Sequence, residues 1–207
     1  MKPGFITLDG IDGSGKSTHL ATIENWFAER NLPVLFTREP GGTPLGEELR
    51  RLLLDPAAQV GLRTETLLMF AARQQHLDDV ILPALEQGVH VVSDRFTDAT
   101  FAYQGGGRGL PEADIAALEH WVQRGLRPDL TLILDVPAEV SFARVAKARD
   151  KDRFEQEQAA FFLRVRQAYL DRAAADPQRY RVIDSNRDKT EVRAAVETAL
   201  AACFEAV

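Results

Sequence analysis

Residues 10–17 read GIDGSGKS, which is a full match to the phosphate-binding pattern G-x-x-x-x-G-K-[ST]. The apolar run FITL (5–8) precedes the match, and apolar side chains at helical spacing follow it at Leu20, Ile23, Trp26 and Phe27. A strand, a glycine loop and a helix in this order let backbone N–H groups and a helix N-terminus surround a phosphate. The context therefore favours a nucleotide-phosphate site over a plain connecting turn.

Two side chains of this loop have specific expected tasks. Lys16 is expected to reach the β and γ phosphates of a nucleotide, and Ser17 to ligate Mg²⁺. Gly10, Gly13 and Gly15 are expected to let the backbone turn inward around the phosphates. The loop thus predicts a site for the phosphate chain of a nucleotide and its metal.

The composition favours one acidic globular domain. The chain has 207 residues and a net charge of −6, which argues against a general nucleic-acid or membrane-surface binder. Its single cysteine, Cys203, is expected to be a packing residue in a reducing compartment. The four histidines lack metal-ligand spacing, and neither a signal peptide nor a membrane-spanning run is visible. We therefore expect a cytoplasmic location.

Short apolar runs alternate with amphipathic helical patterns along the whole chain. This alternation predicts an α/β fold with a parallel sheet covered by helices on both faces. The expected strands lie near 4–9, 33–37, 89–94, 129–136 and 180–184. The expected helices lie near 16–30, 44–54, 64–87, 111–124, 137–147, 154–174 and 188–204, and the glycine-rich 103–114 is expected to be a loop.

Charged side chains follow two of the predicted strands. TREPGGT (37–43) comes after the second, and SDRFTDATFAYQGGGRG (93–109) begins at the end of the third. Ligands of this fold class gather at the carboxyl ends of strands. Asp94 is therefore expected to orient a metal-bound water or the loop serine, and Arg95 to offer a planar fork to phosphate. A structural ion pair is the alternative.

Taken in order, DGIDGSGKST, TREPGGTPLGEELR, SDRFTDATFAYQGGGRGL and DRFEQE resemble the bacterial thymidylate kinases over essentially the whole chain. The resemblance implies a three-layer P-loop kinase fold with a five-stranded parallel sheet, usually in a homodimer. It also implies transfer of the γ-phosphoryl group of ATP to dTMP, giving dTDP for dTTP and DNA synthesis, with Mg²⁺ as cofactor. The expected domain is 1–207, with a mobile lid at about 144–157.

The resemblance also implies roles for individual residues. Arg38 and Arg95 would hold the acceptor phosphate, with Glu39 ordering that side. Asp9 and Asp12 would lie near the metal and the 3′-hydroxyl of the acceptor sugar. The implied ATP site is Gly10, Ile11, Asp12, Gly13, Ser14, Gly15, Lys16, Ser17, Thr18 and Arg144, and the implied metal ligands are Ser17, Asp9 and Asp94.

In the implied acceptor pocket, Arg73 would hydrogen-bond O4 of thymine. Met69 or Phe70 would cover the base, since the family places the aromatic four residues before the arginine and here Phe70 is three before it; a core phenylalanine is the alternative. Tyr103 would lie against C2′ of the sugar. The implied dTMP-binding set is Asp9, Arg38, Glu39, Pro40, Leu49, Met69, Phe70, Arg73, Arg95, Thr100, Tyr103 and Gln104.

On the donor side, Arg144 would stack on adenine. The variable loop positions 11–14 contain no basic residue, so Arg149 and Arg153 of the lid would supply the cations that phosphoryl transfer requires. The implied catalytic set is Lys16, Arg95, Arg149, Arg153, Asp9 and Asp12. A solvated charged connection is the alternative reading of the lid.

Other function classes fit less well. A GTPase switch requires Asn-Lys-x-Asp, and the nearest string, Asn186-Arg187-Asp188-Lys189, has the wrong order. The Asp-Glu of a motor or nucleic-acid ATPase follows none of the apolar strands. The remaining alternative is a P-loop kinase of another small acceptor, either another nucleoside monophosphate or a shikimate-like compound.

Overall fold

A computed structural model describes residues 3–145 and 159–204. The described residues form a five-stranded, all-parallel sheet flanked by helices, with the strand order β2-β3-β1-β4-β5. The strands are β1 (Phe5–Asp9), β2 (Val34–Arg38), β3 (His90–Asp94), β4 (Leu130–Asp135) and β5 (Tyr180–Asp184). The expected α/β fold class is confirmed, and each expected strand lies where the sequence predicted it.

The helices are α1 (Lys16–Glu29), α2 (Pro44–Leu54), α3 (Leu62–His76), α4 (Leu82–Glu86), α5 (Thr97–Thr100), α6 (Glu112–Gln123), α7 (Ala138–Val145), α8 (Ala159–Ala175) and α9 (Lys189–Phe204). Two π-helical segments, Leu77–Ile81 and Phe101–Gly107, continue α3 and α5. The expected helix at 64–87 is therefore three joined helical segments.

The central strand β1 is buried on both faces. Ile6 and Leu8 pack into one apolar cluster with Phe27 of α1, whereas Phe5 packs into a second cluster with Phe96. Alternate side chains of a strand point to opposite faces, and helices cover both faces of this sheet. The core thus holds β1 in the middle of the fold, and the loop that follows β1 opens at its carboxyl end.

The glycine-rich segment differs from expectation. The sequence predicted a loop over 103–114, but the chain remains helical to Gly107. Its glycines allow the segment to approach α8 closely: a Cβ atom at Gly106 would lie 2.5 Å from the Cβ of Ala168, and one at Gly107 would lie 2.5 Å from Phe161. The glycines therefore serve helix-to-helix contact as well as chain reversal.

Two smaller expectations concern the surface. Cys203 was expected to be a packing residue, but its side chain is exposed at the end of α9. Among the described residues, no helix combines the length and the apolar character needed to cross a bilayer.

Candidate active site

A cavity of about 630 Å³ opens at the carboxyl ends of β1, β2 and β3. It extends from the loop after β1 to α3 and to the helical segments after β3. The predicted site residues that line it are Asp12, Gly13, Gly15, Lys16, Ser17, Thr18, Arg38, Glu39, Pro40, Met69, Arg73, Asp94, Arg95, Thr100, Tyr103, Gln104 and Arg144. The structure thus brings predicted donor-side and acceptor-side residues to one continuous cavity.

The phosphate loop has the backbone that its glycines predicted. Gly10, Gly13 and Gly15 have positive φ angles of 138°, 75° and 93°, a region that residues with a side chain rarely occupy. The Lys16 ammonium group donates to the carbonyl oxygens of Gly10 and Ile11 at 3.0 and 3.2 Å. Burial lowers the pKa of Lys16, since a charged group is poorly solvated there. The lysine therefore lies folded across the loop that it is expected to serve.

Asp9, at the end of β1, is completely buried. Its Oδ1 atom accepts a hydrogen bond of 3.0 Å from the Tyr169 hydroxyl, whereas no described residue partners Oδ2. Burial raises the pKa of the Asp9 carboxyl to about 7. A buried carboxylate oxygen without a partner is costly, so this oxygen marks a position that a ligand could complete.

The neighbouring strand supplies a second such oxygen. Asp94 ends β3, which pairs with β1, and its Oδ1 is also buried without a partner in the described parts of the chain. Oxygen ligands from carboxylate and hydroxyl groups suit Mg²⁺. No group of three or more His, Cys, Asp or Glu side chains in residues 3–145 and 159–204 could hold a metal by itself. The two carboxylates and the Ser17 hydroxyl therefore fit a metal that is bound together with nucleotide phosphates.

Arg95 connects the phosphate loop to the acceptor side. Its Nη2 atom donates to Asp12 Oδ1 at 2.6 Å and to the Tyr103 hydroxyl at 3.1 Å, and Nη1 donates to Tyr169 at 3.3 Å. The Tyr103 hydroxyl in turn donates to Asp12 Oδ2 at 3.1 Å. Burial raises the pKa of this tyrosine, which keeps its hydroxyl neutral. The guanidinium of Arg95 is thus oriented by Asp12, Tyr103 and Tyr169.

A buried polar chain orders the other wall of the cavity. Arg73 Nε donates to Glu39 Oε2 at 2.7 Å, and Arg73 Nη2 donates to the Thr100 hydroxyl at 3.1 Å. Glu39 Oε1 lies 3.0 Å from Nδ1 of His76, whose Nε2 lies 2.6 Å from the Thr37 hydroxyl. His76, for which the sequence analysis predicted no site role, therefore supports Glu39. This hydrogen-bond network connects the end of β2 with α3 and α5.

The structure separates the two candidates for covering a base. Met69 lines the cavity, but Phe70 is only 2% exposed in the core and lies beneath the Arg73 guanidinium, 4.6 Å from its ring centroid. Phe96 lines the cavity as well. Phe70 therefore lies in the core, which was the alternative to a place beside the base. Met69 and Phe96 line the cavity near Arg73, whereas Phe70 does not.

The apolar wall also differs from expectation. Leu49, which was expected in the acceptor pocket, is half-buried and does not line the cavity. Leu54, five residues further along α2, does line it. Arg38 lines the cavity too, with its guanidinium held by Glu47 at 2.9 Å.

Besides His76 and Leu54, further residues of the site were missed from the sequence. Tyr169 and Phe96 look like ordinary core aromatics, and Glu65 looks like a carboxylate in the first turn of a helix. Arg50 lines the cavity and donates to the Pro40 carbonyl oxygen at 2.8 Å, although its sequence position is that of a surface helix residue. Only the position of Phe96 directly after the Asp-Arg pair was a usable signal.

On the donor side, Arg144 donates to the Gly13 carbonyl oxygen at 3.1 Å and lines the cavity beside the loop. A guanidinium in this place can offer its planar face to a base bound beyond the phosphates. Arg149 and Arg153 lie outside the described residues. Their expected role remains a prediction.

Comparison with known proteins points to one family. A family profile described as thymidylate kinase matches residues 8–196. The chain is 72% identical over 200 residues to a thymidylate kinase of Neisseria gonorrhoeae, covering 97% of each protein. It is 59% identical over 192 residues to one from Nitrosomonas eutropha, covering 93% of this chain and 89% of the relative. A crystal structure of thymidylate kinase from Ehrlichia chaffeensis superposes with a TM-score of 0.78 at 35% identity, covering 97% of this chain and 99% of that one.

Proposed function

The chain belongs to the thymidylate kinase family, and we propose that it transfers the γ-phosphoryl group of ATP to dTMP, giving dTDP and ADP. The observation that carries the proposal is the single cavity that joins the phosphate loop to the Arg73 and Gln104 wall. Phosphoryl transfer requires donor and acceptor to meet in line in one enclosed space. The product is a precursor of dTTP and hence of DNA.

On the donor side, the loop from Gly10 to Thr18 holds the phosphates of ATP through its backbone N–H groups. Lys16 turns from the loop carbonyls to the β and γ phosphates. Arg144, fixed to Gly13, stacks on adenine. The helix α1 directs its positive N-terminal end at the same phosphates.

On the acceptor side, Arg38 and Arg95 hold the phosphate of dTMP. Asp12 belongs to the phosphate loop and is already paired with Arg95, so it can order the acceptor group between the two substrates. Asp9 and Asp12 lie on the side of the 3′-hydroxyl, and the Tyr103 ring closes the space at C2′. These assignments follow from the family resemblance and, for Arg38, Arg95, Asp12 and Tyr103, from the positions of their side chains along the cavity.

We assign Mg²⁺ to the Ser17 hydroxyl and the carboxylates of Asp9 and Asp94. The fit rests on the two buried carboxylate oxygens that have no partner within the described residues. A bound divalent ion supplies positive charge against the phosphate oxygens. Around it, Lys16 and Arg95 contribute the positive charge of this chain, and Arg149 and Arg153 are assigned to the closing lid.

We further assign the chain to the cytoplasm and to a homodimer. Three exposed leucines, Leu45, Leu52 and Leu67, lie on the adjoining helices α2 and α3 and support a subunit contact there. Light scattering during size-exclusion chromatography measures the mass directly: a single 23 kDa species would contradict the dimer.

The test of the proposed function is a substrate panel. Purified protein with MgATP is incubated with dTMP, dUMP, dAMP, dGMP and shikimate, and ADP and phosphorylated product are separated by chromatography. We expect dTMP to be preferred over the purine nucleotides by orders of magnitude, because mismatched polar groups would be left unpaired. dUMP should be a weaker substrate by about 10- to 200-fold, since one methyl group is worth about 1–3 kcal/mol. Equal rates with dAMP or shikimate would favour a kinase of another acceptor.

A further inference from the structure

Glu65 is a completely buried carboxylate in the first turn of α3. One of its oxygens, Oε1, accepts a hydrogen bond of 2.8 Å from Nε2 of Gln104, and the other, Oε2, accepts one of 3.0 Å from Nη1 of Arg108. Gln104 and Arg108 belong to the segment that follows β3, so the contact joins that segment to α3. None of the roles assigned above uses Glu65.

The contact determines which end of the Gln104 side chain is available. A carboxylate oxygen only accepts hydrogen bonds, whereas a carboxamide has a donating NH₂ and an accepting oxygen. The NH₂ end must therefore face Glu65, and the opposite orientation would set two oxygens against each other. The Oε1 atom of Gln104 is left as a buried acceptor, and no described residue donates to it.

Arg73 supplies the complementary group on the same wall. Its Nε and Nη2 atoms are committed to Glu39 and Thr100, while Nη1 is buried with no partner in the described part of the chain. Thr100 lies four residues before Gln104, so the two side chains belong to one helical wall of the cavity. That wall offers one acceptor, Gln104 Oε1, and one donor, Arg73 Nη1.

This pair matches one type of pyrimidine edge. Thymine and uracil present a donating N3–H next to an accepting O4, whereas cytosine presents an accepting N3 next to a donating amino group. We propose that Glu65 is a positioning residue that fixes the Gln104 carboxamide and thereby selects the N3–H/O4 edge against cytosine. The inference rests on the proposed function, since it assumes that a pyrimidine monophosphate is the acceptor.

A neutral replacement of Glu65 should release the Gln104 carboxamide. In Glu65→Gln the new side chain keeps the size but has both a donor and an acceptor, so Gln104 can turn over without losing its hydrogen bond. Once turned, its NH₂ group can donate to N3 of cytosine. Selectivity therefore depends on a side chain at residue 65 that only accepts hydrogen bonds. Glu65→Asp keeps this property and should keep the selectivity.

The experiment compares kcat/KM for dTMP and dCMP in wild type, Glu65→Gln and Glu65→Asp. We expect the dTMP:dCMP ratio to fall at least about tenfold in Glu65→Gln, mainly through the KM values, and to recover in Glu65→Asp. The matched control is Glu197→Gln, which neutralises an exposed carboxylate paired with Arg193 and should leave the ratio unchanged. An unchanged ratio in Glu65→Gln overturns the inference.

A double-mutant cycle separates positioning from general support of the fold. In a Gln104→Leu background, Glu65→Gln has no carboxamide to reorient and should not change the ratio further. The same tenfold fall in that background would overturn the inference. If the wild-type protein does not phosphorylate dTMP, the proposed function fails. If the wild-type protein prefers dTMP to dCMP and Glu65→Gln leaves that ratio unchanged, only the positioning role of Glu65 is overturned.

A measurement on the unmodified protein covers the case in which the Glu65 variants do not fold. In ¹⁵N-labelled wild type, the carboxamide signals of Gln104 are assigned by their loss in Gln104→Leu. We expect one NH₂ proton to exchange slowly with solvent before dTMP is added, and to stay protected afterwards, because it is bound to Glu65. Exchange as fast as that of exposed glutamines would contradict the anchoring.

Discussion

The hydroxyl of Tyr169 donates a hydrogen bond to Oδ1 of Asp9 at 3.0 Å, joining α8 to the end of β1 across 160 positions of sequence. The same hydroxyl accepts from Nη1 of Arg95 at 3.3 Å. One phenol thus orients both a carboxylate expected to serve the metal and an arginine expected to hold the acceptor phosphate.

Tyr169→Phe should therefore impair catalysis. Loss of a hydrogen bond to a charged group is worth about 1.5–3 kcal/mol, so kcat should fall about 10- to 100-fold, together with a lower Tm. Tyr180→Phe is the control, since that hydroxyl donates to the buried Asp98 at 2.6 Å outside the cavity lining. It should lower the Tm alone. A normal kcat in Tyr169→Phe would show that the contact is structural only.

Glu39→Gln should weaken acceptor binding. The replacement removes the negative charge between Arg73 and His76, at a position that is only 5% exposed. We expect the KM for dTMP to rise about 10- to 100-fold, as loss of a charged hydrogen bond predicts, with a smaller change in the KM for ATP. Glu48→Gln, on an exposed pair with Arg51, should change neither constant. Equal changes in both KM values would argue for a general loss of structure.

The Tyr103 side chain allows its ring and its hydroxyl to be tested separately. If the ring blocks a ribose 2′-hydroxyl, Tyr103→Ala should reduce the preference for deoxy over ribo acceptors. Tyr103→Phe keeps the ring and loses the contacts to Asp12 and Arg95, so activity should fall while that preference persists. Kinetics with dTMP and its ribonucleotide analogue measure both effects. A preference unchanged in a folded Tyr103→Ala variant would exclude the steric role.

The neighbours Met69 and Phe70 should respond differently to truncation. Met69 lines the cavity, so Met69→Ala should raise the KM for dTMP several-fold with little loss of stability. Phe70 is buried, and Phe70→Ala should cost about 3–5 kcal/mol of the free energy of unfolding. Chemical denaturation measures the free energy of unfolding of both variants, and steady-state kinetics measures their KM for dTMP. A stable Phe70→Ala protein with a greatly raised KM for dTMP would indicate that Phe70 contacts the base.

The arginines at 144, 149 and 153 should differ in which kinetic constant they affect. Arg149→Ala and Arg153→Ala should each lower kcat by roughly 10³, as removal of an arginine finger does. Arg144→Ala should first raise the KM for ATP, because stacking on adenine stabilises the ground and transition states equally. Near-normal kcat in both lid variants would mean that another residue supplies the positive charge that stabilises the transition state.

The sequence revealed the sheet and the phosphate loop more completely than the acceptor wall. Buried parallel strands read as short apolar runs, so β1 to β5 were recognisable. The π-helical segment at Phe101–Gly107 was not, because glycines predict a loop and the contact with α8 that holds them helical is remote in sequence. Local patterns do not encode such long-range contacts.

The missed side chains have a related explanation. Tyr169 and Glu65 have the local spacing of an ordinary helical aromatic and an ordinary helical acid. Their partners, Asp9 and Gln104, lie 160 and 39 positions away. Only the three-dimensional arrangement pairs a buried carboxylate with a hydroxyl or a carboxamide, and so reveals which polar atoms are left for a ligand.

The strand order also has a consequence for how the protein is made. β1 pairs only with β3 and β4 among the described strands, and both partners are synthesised more than eighty residues later. A nascent chain therefore carries its phosphate loop without sheet support until Asp94 has left the ribosome, and every strand pair closes a long loop. A truncated chain of residues 1–60 contains the entire motif GIDGSGKS, yet should bind ATP no better than an unstructured peptide does.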